Sequence, residues 1–227
     1  MKKRMERVKE RIAKAAEGCG RSADSVRLVA VSKTMPMEVV REAIDAGATV
    51  LGENYIQEAR EKFNALASLP AAWHFIGHLQ SNKAKYAVRM FDLIHSVDSL
   101  KLATALDRYA EKIDRVQPIL IQVNVAREDS KSGIYPEDTL ALVKSIASLK
   151  NILVRGLMTI PPYFNAPEEV RPFFAALREL RERIKDEAIA NIHMDELSMG
   201  MTGDFEAAIE EGATLVRIGT AIFGERH

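Results

Sequence analysis

Eight short apolar runs, each reached through a stretch of helical pattern, constrain this chain more than any other feature. The first, 26–31, is short, β-branched and apolar on both faces, which suits a parallel strand covered on both sides. The others are predicted at 49–52, 73–76, 93–96, 119–125, 153–158, 196–199 and 214–218. Helices are predicted between them at 37–46, 57–66, 81–90, 100–113, 136–148, 166–186 and 204–211. A further helix, 1–17, precedes them all, with Gly18 or Gly20 as its stop. Strict alternation predicts a parallel sheet, and eight units in 227 residues predict a closed (β/α)₈ TIM barrel with an extra N-terminal helix. An open doubly wound sheet is the alternative.

An internal echo supports the strand-helix reading. Ala43-Ile44-Asp45-Ala46-Gly47-Ala48-Thr49-Val50 matches Ala208-Ile209-Glu210-Glu211-Gly212-Ala213-Thr214-Leu215. Each segment has a helix end, a glycine for a left-handed cap, and a strand entering the core. No Pro- or Ser-rich linker and no low-complexity tract interrupts the chain, so 1–227 is expected to be one domain.

Composition narrows the function. Lys plus Arg equal Asp plus Glu at 32 each, which argues against a nucleic-acid partner. Apolar residues at 47% suffice for a sizeable core. The basic N-terminal run is interleaved with Glu6 and Glu10 and reads as a solvated helix face. A single cysteine, Cys19, cannot form an internal disulfide, so a reducing, cytoplasmic setting is expected. No run reaches the length of a membrane span, and no apolar segment follows the basic start. No exposed apolar stripe is evident, and a monomer is expected.

A barrel of this type carries its function at the carboxyl ends of its strands. Lys33 follows a wholly apolar strand, where a partly desolvated amine suits Schiff-base chemistry. The structural alternative is a lysine that snorkels to solvent. Ser198-Met199-Gly200-Met201-Thr202 follows the seventh strand and Arg217-Ile218-Gly219-Thr220 the eighth. These loops often hold a phosphate: Gly219 and Thr220 fit that role, and Ser198 and Thr202 add hydroxyls. The same glycines also suit plain tight turns. Arg217 needs a partner if buried, either a core carboxylate such as Glu196 or Asp204, or a ring nitrogen or anionic ligand. Asn54, within Glu53-Asn54-Tyr55, either presents a polar side chain to a ligand or opens the next helix. His74 and His78 lack the helical spacing and acidic company of a zinc site, so no metal is expected.

Taken together, these residues resemble the pyridoxal-phosphate homeostasis proteins, relatives of the N-terminal barrel of alanine racemase. The resemblance covers essentially the whole chain. It rests on Val29-Ala30-Val31-Ser32-Lys33, Gly52-Glu53-Asn54-Tyr55, Trp73 to Gln80, Ile94 to Asp98, and the group Glu128, Lys131 and Gly133. Leu197 to Met201 and Val216 to Gly224 complete it. Any one of these motifs is a weak signal; their joint order is specific. The resemblance implies that Lys33 forms a Schiff base with pyridoxal 5′-phosphate (PLP). It implies that Ser198, Gly219 and Thr220 help hold the phosphate, that Arg217 faces the pyridine nitrogen, and that Asn54 lies near the ring hydroxyl. Met201 and Thr202 join the cofactor-binding set. The family usually has serine where this chain has Thr202.

The resemblance also implies a role in intracellular PLP homeostasis, carrying the cofactor without catalysis and passing it to apo-enzymes. A PLP-dependent racemase is the alternative, but the racemases add a second domain for which a chain ending at His227 offers no counterpart. An unrelated barrel lyase, using Lys33 on a sugar phosphate, is a third reading.

Overall fold

The computed structural model of the chain describes residues 1–162 and 166–224; His227 lies outside them. Eight parallel strands close into a barrel in sequence order. They are β1 Arg27–Val31, β2 Val50–Glu53, β3 Ala72–Phe75, β4 Leu93–Val97, β5 Gln117–Gln122, β6 Ile152–Met158, β7 Ile192–Ser198 and β8 Leu215–Ile218. The helices are α1 Lys2–Gly18, α2 Met37–Asp45, α3 Ile56–Leu66, α4 Ala84–Met90, α5 Leu100–Glu111, α6 Pro136–Ile146, α7 Pro167–Asp186, α8 Phe205–Glu210 and α9 Thr220–Phe223. Ring closure is made by β1 on β8, with Val29 beside Arg217 and Ala30 beside Ile218.

The helices face the barrel with apolar stripes of ordinary helical period. In α1 the buried positions are Met5, Val8, Ile12 and Ala16, and in α7 they are Val170, Phe174, Leu177, Leu180 and Ile184. The extra N-terminal helix packs on α8, where Arg11 Nε donates to Glu206 at 2.7 Å. Past its end, Arg21 donates to the carbonyls of Ile209 and Ala213 at 2.7 and 2.8 Å.

The two echoed segments adopt the same cap. Gly47 and Gly212 have φ of 94° and 99°. Ala48 N–H donates to Ala43 C=O, and Ala213 N–H to Ala208 C=O, both at 2.9 Å. These are the six-to-one bonds of a Schellman motif, and each releases the chain into the next strand.

Two strands differ from expectation. The fifth, expected at 119–125, begins at Gln117 and ends at Gln122; beyond it Val123 makes an isolated bridge to Ile134. Asn124 is drawn into the following loop, donating to Glu128 C=O at 2.8 Å. The seventh begins at Ile192 rather than 196, because His193 and Asp195 point to solvent while Met194 is buried. The predicted helix at 81–90 opens with a 3₁₀ turn, Ser81–Lys83.

Gly212 offers a clean test of the cap, since a Cβ there meets nothing nearer than 3.7 Å. Gly212→Ala should lower the unfolding free energy by about 1–2 kcal/mol through backbone strain alone. Urea denaturation checks this, and Gly212→Asn should cost less because asparagine tolerates the left-handed region.

Candidate functional site at the barrel mouth

The barrel interior is layered. Val29, Val50, Leu93, Leu120, Met158 and Leu215 pack together as one apolar cluster with Ala72 against them, closing the lower interior. Side chains alternate along a strand, so the next inward positions lie two residues further on. Those positions include His74 from Ala72, His95 from Leu93 and Arg217 from Leu215.

These residues form a connected polar layer. His74 Nδ1 lies 3.0 Å from His95 Nε2, and His95 Nδ1 lies 2.8 Å from Ser198 Oγ. Arg217 donates through Nη1 to Ser198 Oγ at 2.5 Å and through Nη2 to Thr159 C=O at 2.8 Å. Thr159 Oγ1 in turn donates to Val123 C=O at 2.8 Å. His74, His95, Ser198, Thr159 and Arg217 are all buried.

Burial sets their charges. Removal from water, reinforced by the positive charge of Arg27, pushes the His74 pKa down to about 3. Burial, then the neighbouring His74 and Arg217, holds His95 well below its ordinary value. Both rings are therefore neutral at pH 7. Burial also lowers the Arg217 guanidinium to about 10, against an opposing pull from Asp204, so it keeps its charge. The core carboxylates anticipated as structural partners are engaged elsewhere. Glu196 pairs with Arg27 and accepts from Thr214 Oγ1 at 2.6 Å, while Asp204 Oδ1 accepts from Met201 N–H at 2.5 Å. Arg217 is thus a buried cation whose guanidinium donates to a hydroxyl and a carbonyl.

Above this layer opens a cavity of about 370 Å³. Lys33, Asn54, Met201, Thr202, Arg217, Gly219 and Thr220 all line it, so seven of the eight residues singled out in the sequence meet there. Its apolar walls include Val31, Ile76 and Phe223. Thr220 Oγ1 donates to Thr202 Oγ1 at 3.3 Å, so the threonine that departs from the usual serine keeps its hydroxyl at the mouth. Ser198 is the exception. It lies beneath the cavity, fully buried, and its hydroxyl serves Arg217 and His95.

Asn54 lies at the mouth with the segment just after β3 close behind it. A Cβ on Gly77 would lie 2.4 Å from Asn54 C=O, so only glycine allows that approach. The Asn54 Oδ1 atom is buried without a hydrogen-bond partner. An orphaned polar atom beside a cavity is suited to a ligand's polar group.

The linking histidine, His95, was missed as a functional residue. Its signal was the period-two pattern from Leu93, which points every second residue inward once the barrel closes. Asp204 also lines the cavity; burial raises its carboxyl pKa, and it was considered only as a partner for Arg217. His78 is exposed, 3.2 Å from Ser132 Oγ, and among the described residues no group of three potential metal ligands gathers.

Comparison with known proteins agrees with this geometry. A family model described as the alanine racemase N-terminal domain matches residues 4–227. The chain is 50% identical over 223 residues to a pyridoxal phosphate homeostasis protein of Aquifex aeolicus, covering 98% of this chain and 97% of the relative. PipY of Synechococcus elongatus, solved with PLP bound, superposes with a TM-score of 0.82 at 39% identity, covering 94% of this chain and all of that one. Alanine racemase of Clostridium difficile matches with a TM-score of 0.69 at 14% identity over 89% of this chain and 53% of that one, a likeness of fold alone.

The buried histidines make stability depend on acid. An unfolded histidine titrates near 6.5, whereas folded His74 does so at about 3. Its contribution is therefore full above about pH 6.5 and is lost progressively as pH falls toward 3. Urea midpoints measured between pH 6.5 and 4.5 should fall for the wild type, and His74→Asn should flatten that fall by about one proton taken up on unfolding.

Proposed function

This chain belongs to the pyridoxal phosphate homeostasis protein family, and on that premise we propose that it holds pyridoxal 5′-phosphate at the barrel mouth as a Schiff base on Lys33. One observation carries the reading: Lys33 and the buried cation Arg217, whose guanidinium is held by a hydroxyl and a carbonyl, line the same cavity. When bound, the cofactor supplies a reactive aldehyde on an electron-withdrawing pyridine ring. The cavity is of ligand size and has apolar walls for an aromatic ring. Asn54 brings an unsatisfied amide for the ring hydroxyl.

Lys33 is the nucleophile. Its amine would hold the cofactor through a C=N bond formed in place of the aldehyde C=O, the oxygen leaving as water. Gly219, Thr220 and Thr202 would hold the phosphate through backbone N–H groups and hydroxyls, with Met201 beside them in the cavity lining. Ser198 acts from beneath by fixing the rotamer of Arg217. The guanidinium keeps its proton at neutral pH, so toward a ring nitrogen it would donate a hydrogen bond and oppose protonation there. An unprotonated ring is a weak electron sink, which favours holding and releasing the cofactor over amino-acid chemistry.

The chain on this reading is a single-domain, monomeric, non-catalytic cofactor carrier of the cytoplasm that supplies apo-enzymes. No helix among the described residues is long and apolar enough to cross a membrane.

Borohydride reduction of PLP-saturated protein, followed by peptide mapping, tests the attachment. The label should sit on Lys33 and disappear in Lys33→Ala; a label elsewhere would overturn the assignment. Wild-type protein should not racemise free alanine at an enzymatic rate. Fast racemisation that vanishes with Lys33→Ala would replace the carrier reading with an enzymatic one.

A further inference from the structure

Lys33 sits in a tight turn with an unusual backbone. Ser32 C=O accepts from Met35 N–H at 3.1 Å, which makes Lys33 and Thr34 the central pair. Thr34 takes a φ of 63°. Turns that place their third residue in this region normally use glycine, and a β-branched residue is strained there unless its surroundings hold it.

Three charged side chains behind the turn supply that hold. Glu58 Oε1 accepts from Thr34 N–H at 2.5 Å. The Lys62 ammonium donates to Ser32 C=O at 2.6 Å, to Glu53 Oε1 at 2.9 Å and to Glu58 Oε1 at 2.5 Å. Ser32 Oγ donates to Glu53 Oε1 at 2.6 Å. The residues immediately before and after Lys33 are therefore tied to one charge cluster. Lys33 lines the cavity, whereas Glu53, Glu58 and Lys62 do not.

Stability alone is a poor explanation for this cluster. Glu53 is 0% exposed and Lys62 4%, and desolvating such a pair commonly offsets its attraction. A packed apolar pair would fill the space at least as well. What an apolar pair lacks is a donor for Ser32 C=O, an acceptor for Ser32 Oγ, and a cation to hold Glu58 in place against Thr34 N–H.

We propose that Glu53, Glu58 and Lys62 form a clamp that fixes the Lys33 turn and so sets the approach of its amine to an aldehyde in the cavity. The three are positioning residues. The inference rests on Lys33 being the attachment point.

Thr34→Gly makes the clamp testable, because glycine adopts the turn geometry without strain. The rate of covalent capture of pyridoxal phosphate at Lys33 is followed by borohydride trapping in wild type, Glu58→Ala, Thr34→Gly and the double variant. Amide exchange at Thr34 is read in ligand-free protein. The Glu58 side chain is 26% exposed, so its removal leaves no large buried void. Glu58→Ala should slow capture about tenfold and hasten Thr34 exchange, by loss of orientation. Glu58→Gln, which retains an acceptor oxygen, should recover most of the rate. In the Thr34→Gly background the same Glu58→Ala change should cost no more than about threefold, a coupling characteristic of contacting sites. Equal slowing in both backgrounds, or an unchanged capture rate with only a lowered unfolding midpoint, would overturn the clamp. Absence of label on Lys33 in wild-type protein would overturn the attachment itself. Thr34 protection that still depends on Glu58 would mark that outcome as distinct from failure of the clamp.

Discussion

Closing eight parallel strands into a ring turns every second residue toward a common axis. That constraint governs everything above it. The lower interior fills with branched and apolar side chains. One step up, the same geometry forces two histidines, a serine and an arginine into mutual contact. None of these groups tolerates burial alone, and the layer exists because its members satisfy one another. The outcome is a fixed positive charge under the mouth, held by neutral partners.

That arrangement separates two tasks that a cofactor site must perform. The guanidinium is held by Ser198 at the end of β7 and by the carbonyl of Thr159, just after β6. The amine is presented from β1 by a turn anchored on β2 and α3. The placement of Arg217 and that of Lys33 thus depend on different contacts.

Most of the fold was legible because barrel strands are buried on both faces and read as continuous apolar runs. The glycine caps at Gly47 and Gly212 were visible as a repeated motif for the same local reason. Strand seven was shortened in the reading because His193 and Asp195 face water, and their polarity masked a real ladder position. Lys33, Asn54, Met201, Thr202, Arg217, Gly219 and Thr220 were legible as strand-end residues. Ser198 was placed among them by motif, but its depth depends on ring closure, which no local pattern states. His95 and Lys62 were hidden for a related reason: a polar residue within an apolar run or on an amphipathic helix looks ordinary until its partner, distant in sequence, is brought beside it.

The seam between β1 and β8 joins the two ends of the chain, with Val29 against Arg217. Lys33, which follows β1, is synthesised well before Arg217 on β8. A growing polypeptide therefore cannot assemble this cavity until β8 has left the ribosome exit tunnel. A ligand that spans that seam acts as a latch on the closed ring, and scarcity of the vitamin would leave the molecule easier to prise open.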